Sequence, residues 1–304
     1  MKRIEFLVSL LCSPHKLAEY ATRNKYTRRF ISDRSAIEIL YKNRFGRKIN
    51  LENPTTFNEK LLWLTLNDRN PQYTKMVDKY EAKDYISKCL GKDTLTPHTL
   101  QICKSFEDID FDSLPSRYVI KTTHDSGSVV IVTKALPLNF EKAKTIINKS
   151  LKNNYFWYSR EWVYKNVEPR VIVEEYIETD NLYPTDFKFF CFNGTPVMCA
   201  IITGRDSKAK MDFVDLRYNR QPISQRYENS KILPPPPSCW EDMIMFSTKL
   251  SKDIPFLRVD FFCDKAGNCL VGELTFTPSS GLIPFDNAET DLILGNKLDI
   301  TKIK

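Results

Sequence analysis

Two carboxylates stand on what reads as one β-hairpin and could share a cation. Asp260 lies in Arg258-Val259-Asp260-Phe261-Phe262 and Glu273 in Gly272-Glu273-Leu274-Thr275-Phe276, separated by the turn composition Asp264-Lys265-Ala266-Gly267-Asn268. Period-two alternation puts Arg258 with Asp260 on one strand face and Glu273 with Thr275 on one face of the partner. Carboxylates opposed on paired strands repel, so a cation is expected between them. Hard oxygen donors with no histidine nearby suit Mg²⁺, which takes one or two carboxylates and completes its shell with water and substrate phosphates. The alternative is a pair of exposed hairpin charges.

Two lysines supply the complementary charge. Lys121 ends the apolar run Tyr118-Val119-Ile120 and precedes a turn through Ser126-Gly127-Ser128, while Lys188 alternates with Asp186 in Asp186-Phe187-Lys188-Phe189-Phe190. A lysine at a strand end beside a small-residue turn offers a point charge and backbone N–H groups to a phosphate chain. Exposure to solvent is the plain alternative for either lysine.

The elements that must position these groups change character along the chain. Arg34 to Tyr41, Thr56 to Leu66 and Tyr73 to Leu90 carry apolar residues at helical spacing, and Thr56 with Glu59 reads as a capping box. Tyr118 to Thr122 and Val129 to Thr133 read as strands around His124-Asp125-Ser126-Gly127-Ser128, and Phe140 to Leu151 as a helix. From Arg170 strands dominate: Val171 to Ile177, Phe187 to Phe192, Pro196 to Thr203 and Met211 to Leu216, with Asn193-Gly194 as a hairpin turn. Pro234 to Pro237 form a stiff connector, Cys239 to Lys252 a helix, and Phe256 to Cys263 with Cys269 to Thr275 the last hairpin. Helices first and then mostly antiparallel strands predict an α+β protein. Its expected parts are a helical, basic region at 1–90, a small β-rich unit at 91–170 and a larger antiparallel sheet at 171–304.

Composition removes several classes of function. With 304 residues, 42% hydrophobic and 27% charged, the chain can bury a sizeable core. Its nine glycines include no pair two apart, which excludes G-x-G-x-x-G, and the pair Gly267 and Gly272 is followed by Glu273 where a P-loop needs lysine. His15, His98 and His124 lie too far apart for H-E-x-x-H, and no G-x-S-x-G is present. Eight cysteines without a C-x-x-C pair read as reduced thiols of a cytosolic protein. Glu5 interrupts the short apolar run between Met1 and Cys12, so no secretory leader is expected, and no apolar stretch is long enough to span a bilayer.

The formal charge of +7 is uneven. Residues 1–50 hold twelve Lys or Arg against four Asp or Glu, so the remainder is close to neutral. Arg23, Lys25, Arg28, Arg29, Arg34, Arg44, Arg47 and Lys48 could face an anionic membrane or a lipid pyrophosphate, or could form a solvated helical face. Nucleic acid is not expected, since aromatic residues are not interleaved there as stacking platforms.

The sequence resembles the ATP-grasp proteins, and more closely those similar to the teichuronopeptide biosynthesis protein TupA. The resemblance runs from about residue 30 to 295. It rests on Asn53-Pro54-Thr55-Thr56-Phe57-Asn58-Glu59-Lys60, Asp78-Lys79-Tyr80 with Lys83, Phe106 to Phe111, Ile120 to Gly127, Asp186 to Gly194, and Arg258-Val259-Asp260 with Gly272 to Phe276. It implies that Lys83 and Lys121 reach the phosphates of ATP and that Ser126, Gly127 and Ser128 flank them. It implies that Glu174, Glu175, Tyr176 and Ile177 form the strand on which adenine lies, with Asp186 near the ribose. It makes Asp260 and Glu273 the Mg²⁺-holding acids and Arg258 the group that steadies an acyl-phosphate. Two departures stand out: Thr275 replaces a common metal-ligating Asn, with a hydroxyl that can still serve as the third metal ligand, and Asp125 sits where glycine is commoner.

The implied chemistry is amide formation. Mg²⁺ and lysines neutralise ATP so that a carboxylate attacks the γ-phosphorus, and an amine displaces the resulting acyl-phosphate. Arg258, Lys188 and His124 are the expected catalytic groups, although His124 reads equally as a structural turn residue. The substrates implied are an amino acid or amine and a uronic acid of a bacterial surface polysaccharide, free or lipid-linked, at the inner face of the membrane. The competing readings are a glycosyltransferase, for which Asp108-Ile109-Asp110 is formally a D-x-D motif, and a catalytically silent nucleotide-binding module.

Overall fold

The computed structural model describes residues 13–205 and 207–303, so the segment Met1 to Cys12 lies outside the described residues. Helices α1 (Pro14–Arg23) and α2 (Asp33–Phe45) open the chain, followed by α3 (Phe57–Asn67). Helix α3 begins with the expected capping box, in which the Thr56 hydroxyl accepts from the Glu59 N–H and the Glu59 carboxylate from the Thr56 N–H. The run from Tyr73 to Leu90, expected as one helix, is broken into α4 (Gln72–Val77) and α5 (Glu81–Leu90). The cause is Asp78, whose buried carboxylate accepts from the N–H groups of Tyr80 and Glu81 and starts a new helix there.

Two antiparallel sheets follow, as the α+β reading requires. The smaller contains β1 (Thr99–Cys103), β2 (Tyr118–Thr122), β3 (Val129–Val132) and β4 (Val171–Glu175) in the order β1-β4-β2-β3. Helix α6 (Phe140–Leu151) packs on it through Ala143 and Ile147, with Phe106 and Ile109 completing that core. Pairing on both sides places β4 inside this sheet, so the boundary expected at residue 171 falls within one sheet.

The larger sheet contains β5 (Asp186–Phe192), β6 (Thr195–Thr203), β7 (Lys210–Asp215), β8 (Arg220–Gln221), β9 (Phe256–Cys263) and β10 (Cys269–Thr275) in the order β10-β9-β5-β6-β7-β8. It is covered on both faces, which is why β5 is buried along its whole length. Phe187, Phe189 and Cys191 face a core completed by α5, and Phe190 and Phe192 face one completed by α3. The short helix α7 (Phe156–Ser159) precedes β4. Helix α8 (Trp240–Leu250) packs on the first of those cores, and α9 (Ala288–Lys297) on the second.

The contact of α9 with α3 is unusually close. A Cβ on Gly295 would sit 2.1 Å from the carbonyl oxygen of Thr55, so only glycine allows the helix to lie against that segment. Lys60 Nζ then donates to the carbonyls of Gly295 and Leu298, satisfying the C-terminal end of α9.

Candidate active site

Lys188, Asp260 and Glu273 form a row across three neighbouring strands. Lys188 on β5 pairs with Asp260 on β9, and Asp260 pairs with Glu273 on β10. The register that hydrogen-bonds the strands therefore sets these side chains side by side. Lys188 Nζ donates to Asp260 Oδ2 and lies 3.4 Å from Asp186 Oδ1. Arg258 Nε and Nη2 donate to Asp260 at 2.6 and 2.7 Å, and Nη2 also reaches Thr275 Oγ1 at 3.0 Å. The cation expected on the hairpin is thus in part the chain's own guanidinium and ammonium. Burial would raise the pKa of Asp260, but Arg258 and then Lys188 outweigh it and hold the group below the usual carboxylate range. Burial opposes the charge of Arg258, and Asp260 reverses that effect.

Glu273 differs from its neighbour. It stands 3.9 Å from Arg258 Nη2, too far for a hydrogen bond, and a quarter of its side chain is exposed. Its oxygens keep capacity for a metal, whereas both oxygens of Asp260 and the Thr275 hydroxyl already accept from Arg258. Among the described residues no cluster of three His, Cys, Asp or Glu could enclose a metal. Such a donor set fits Mg²⁺, which relies on few carboxylates and on phosphate oxygens.

A second charged cluster belongs to the smaller sheet. Glu174 on β4 pairs across to Val119, and Lys121 lies two residues along β2 on the same face, within reach of a long side chain. Lys121 Nζ meets Glu174 Oε2, and Lys83 Nζ meets Glu174 Oε1 at 2.7 Å. Lys83 also donates to Pro97 O and Thr99 Oγ1, which orients it from the first turn of α5. Burial would raise the pKa of Glu174, yet Lys121 and Lys83 prevail and keep it ionised. Burial first, and Lys121 in addition, lowers the pKa of Lys83 in spite of Glu174. Glu174, expected as an adenine-strand residue, is therefore the anchor of both lysines.

A narrow cleft, open to solvent, runs from the Glu174 cluster to Glu273. Lys79, Lys83 and Glu174 line it on one side, and Gly272, Glu273 and Leu274 on the other. Lys79 was not foreseen as a site residue. Its backbone N–H bonds Thr123 O and its Nζ reaches the carbonyl of Asp125, which brings a third ammonium to the turn after β2.

That turn is built around Asp125. Its carboxylate accepts from the hydroxyls of Thr122, Ser128 and Ser150. Burial opposes its ionisation, and Lys79 with these hydroxyls outweighs burial. Ser126 and Gly127 project into solvent, whereas Ser128 is turned inward and spent on Asp125. His124 makes the contacts of the structural alternative. Only 2% exposed, it uses Nε2 to hold the carbonyls of Ser150 and Asn153 at the end of α6. Those bonds engage Nε2, while the buried Nδ1 has no hydrogen-bond partner.

The remaining expected residues divide. Asp186 is buried and held by Arg205, a partner the sequence reading omitted, so its carboxylate is already engaged. At the end of β4, Glu175 is exposed and gives its N–H to His98 O, and Tyr176 just beyond donates its hydroxyl to Leu182 O. Glu178, the residue after Ile177, is joined to the last hairpin by the Lys265 N–H, which donates to Glu178 O. Asp108 caps the Ser105 N–H in a separate loop, so the D-x-D pair does not join the site.

Behind Glu273 lies an acid that the sequence did not reveal. Glu161 is 3% exposed and accepts from the hydroxyls of Ser159 and Ser280 at 2.7 and 2.8 Å. Burial lifts its pKa to about 7, the two hydroxyls oppose the shift, and Glu273 adds to it. Ser279 and Ser280 hold left-handed backbone at φ 52° and 57°, a strained conformation in residues other than glycine.

A model of TupA-like ATP-grasp proteins matches residues 59–299. No curated protein matches the sequence. Similar solved structures include a D-alanine–D-alanine ligase from Bacillus anthracis complexed with ATP, 18% identical over 72% of this chain and 64% of that one, with a TM-score of 0.41. Another is an L-amino acid ligase from Bacillus licheniformis, 12% identical over 83% and 57% of the two chains, with a TM-score of 0.43. This chain spans less than two thirds of the length of either.

Proposed function

The chain belongs to the TupA-like ATP-grasp family, and from that premise we propose that it is an ATP- and Mg²⁺-dependent carboxylate–amine ligase. The observation that carries the reading is the single cleft in which Lys79, Lys83 and the Glu174 anchor face Glu273. A triphosphate laid between them would meet ammonium groups on one wall and a carboxylate on the other. Glu273 would hold Mg²⁺ together with the lone pair of Asp260 Oδ1 that Arg258 Nε does not use, and the ion would supply charge neutralisation at the β- and γ-phosphates when bound. Lys83 and Lys121 would exchange part of their contact with Glu174 for phosphate oxygens. Arg258, pinned by Asp260, would steady the charge that develops when the substrate carboxylate attacks the γ-phosphorus.

That attack releases ADP and leaves an acyl-phosphate. An amine nitrogen then forms the C–N bond as phosphate leaves, and the nitrogen's surplus proton passes to solvent or to phosphate. The substrates we propose are an amino acid or amine and a uronic acid of a surface polysaccharide such as capsule or O-antigen, free or on a lipid carrier at the inner face of the membrane. Among the described residues no helix is long and apolar enough to cross a membrane.

The test is ADP release from ATP and Mg²⁺ with a matrix of uronic acids and amines. ADP should appear only when both substrates of a matching pair are present, and Glu273→Gln should abolish it while leaving the melting curve unchanged, because Glu273 is partly exposed and makes no hydrogen bond to Arg258. Unaltered turnover in the folded Gln variant, or ADP release independent of the amine, would refute the assignment.

A further inference from the structure

The surface that carries part of the basic surplus also carries two of the three most exposed large apolar side chains among the described residues. Phe30 is 83% exposed and Tyr26 71%, both in the turn between α1 and α2. Lys25 and Arg29 stand beside them, exposed and without an ion-pair partner among the described residues. Contrary to the expectation from sequence, aromatic rings are interleaved with the cationic groups here, Tyr26 and Phe30 from the turn itself and Trp157 and Tyr158 from α7. Arg23 lies 4.3 Å over the ring of Tyr158, itself 51% exposed, and Arg28 lies 4.5 Å over Trp157.

The patch is held on a firm base. Arg160 is 3% exposed and donates to Thr22 O, Arg28 O and Asp33 Oδ1 at 3.1, 2.8 and 3.0 Å. It fixes both ends of the turn to the body of the protein while leaving its tip in solvent. Burial lowers the pKa of Arg28, and the crowding of Arg160 and Arg29 lowers it further. An anion arriving at the patch would relieve that crowding.

We propose that the Lys25 to Phe30 turn, with Arg23 and Tyr158 beside it, docks the protein on an anionic phospholipid bilayer. Tyr26 and Phe30 would enter the headgroup layer, where aromatic rings are favoured, and Lys25 and Arg29 would meet lipid phosphates. Phe30 decides for a bilayer over a polyanion in solution. It has no polar atom to hydrogen-bond a sugar or base, and so little of it is covered that it gives no supported stacking platform. Neither the charge nor the apolar surface of so small a patch is large by itself, so the two must act together.

Sedimentation of the full chain with phosphatidylglycerol-containing vesicles, and with phosphatidylcholine vesicles, tests this without nucleotide or substrate. The result is therefore independent of the ligase assignment. The protein should pellet with the anionic vesicles alone and be released as salt rises. The double variant K25E/R29E should weaken partitioning by at least tenfold, taking about fivefold for each basic residue removed. The double variant Y26S/F30S keeps the charge and should still lose most of the binding. All four positions are exposed, so both variants should melt with the parent protein. Failure of the parent to bind anionic vesicles, equal binding by either variant, or preferential capture by single-stranded nucleic acid in competition would overturn the proposal.

Discussion

Glu174 grips Lys121 with one carboxylate oxygen and Lys83 with the other, so two ammonium groups from different elements are held by a single buried anion. Lys121 comes from β2 and Lys83 from α5, and neither would be placed by its own element alone. The arrangement keeps two like charges together before any polyanion arrives, with Lys83 and Glu174 lining the cleft and Lys121 tied to them through Glu174.

The variant Glu174→Gln should therefore lose stability in the absence of ligand. One lysine keeps the amide oxygen and the other faces a neighbouring cation without compensation. Because both lysines are partly solvated, we expect about 2 kcal/mol, below the range for a fully buried broken pair. Mg²⁺ and ATP should restore much of this loss, making the ligand-induced rise in melting temperature larger in the variant than in the parent. A ligand shift of equal size in both proteins would mean that the lysines do not face the phosphates.

Glu161 gives a pH dependence with a defined sign. Its pKa is raised from 4.5 to about 7, so the folded state holds a proton that the unfolded state has released. The stabilisation from that proton is complete below about pH 4.5 and is lost as the pH rises toward 7, by up to about 3 kcal/mol. Glu161→Gln keeps an oxygen for the Ser159 and Ser280 hydroxyls but has no proton to lose. Melting temperatures of parent and variant should diverge steadily between these pH values, and parallel curves would show that Glu161 is ionised throughout.

His124 should affect folding and not turnover. His124→Leu leaves the carbonyls of Ser150 and Asn153 without their donor, at a cost of about 1 to 3 kcal/mol. ADP release measured well below the melting temperature should stay within about twofold of the parent. A general acid or base would cost about a hundredfold or more, so a loss of that size would return His124 to the chemistry.

What the sequence disclosed follows from how local each signal was. The hairpin of β9 and β10 was legible with its bounds, because apolar runs flank a turn of Asp, Gly and Asn. Strand β1 was missed because Thr99–Cys103 is only partly buried and carries no run of β-branched residues. Helix α9 was missed because its covered face includes Thr290, Asp291 and Gly295, which do not read as an apolar stripe. In the site, Asp260 and Glu273 were legible from one hairpin. The role of Glu174 was not, since it depends on lysines 53 and 91 residues away in the chain. Arg205 and Lys79 were hidden for the same reason.

The seam at Gly295 limits how this sequence can drift. Any larger residue there must push back the Thr55 to Phe57 segment, and that segment carries the cap of α3 and, through Glu59, the ion pair with Arg47. Positions near opposite ends of the chain are therefore bound to change in concert or not at all. A library of substitutions should find residue 295 closed even to alanine, while the exposed rings of the outer turn accept almost any replacement that the fold alone must tolerate.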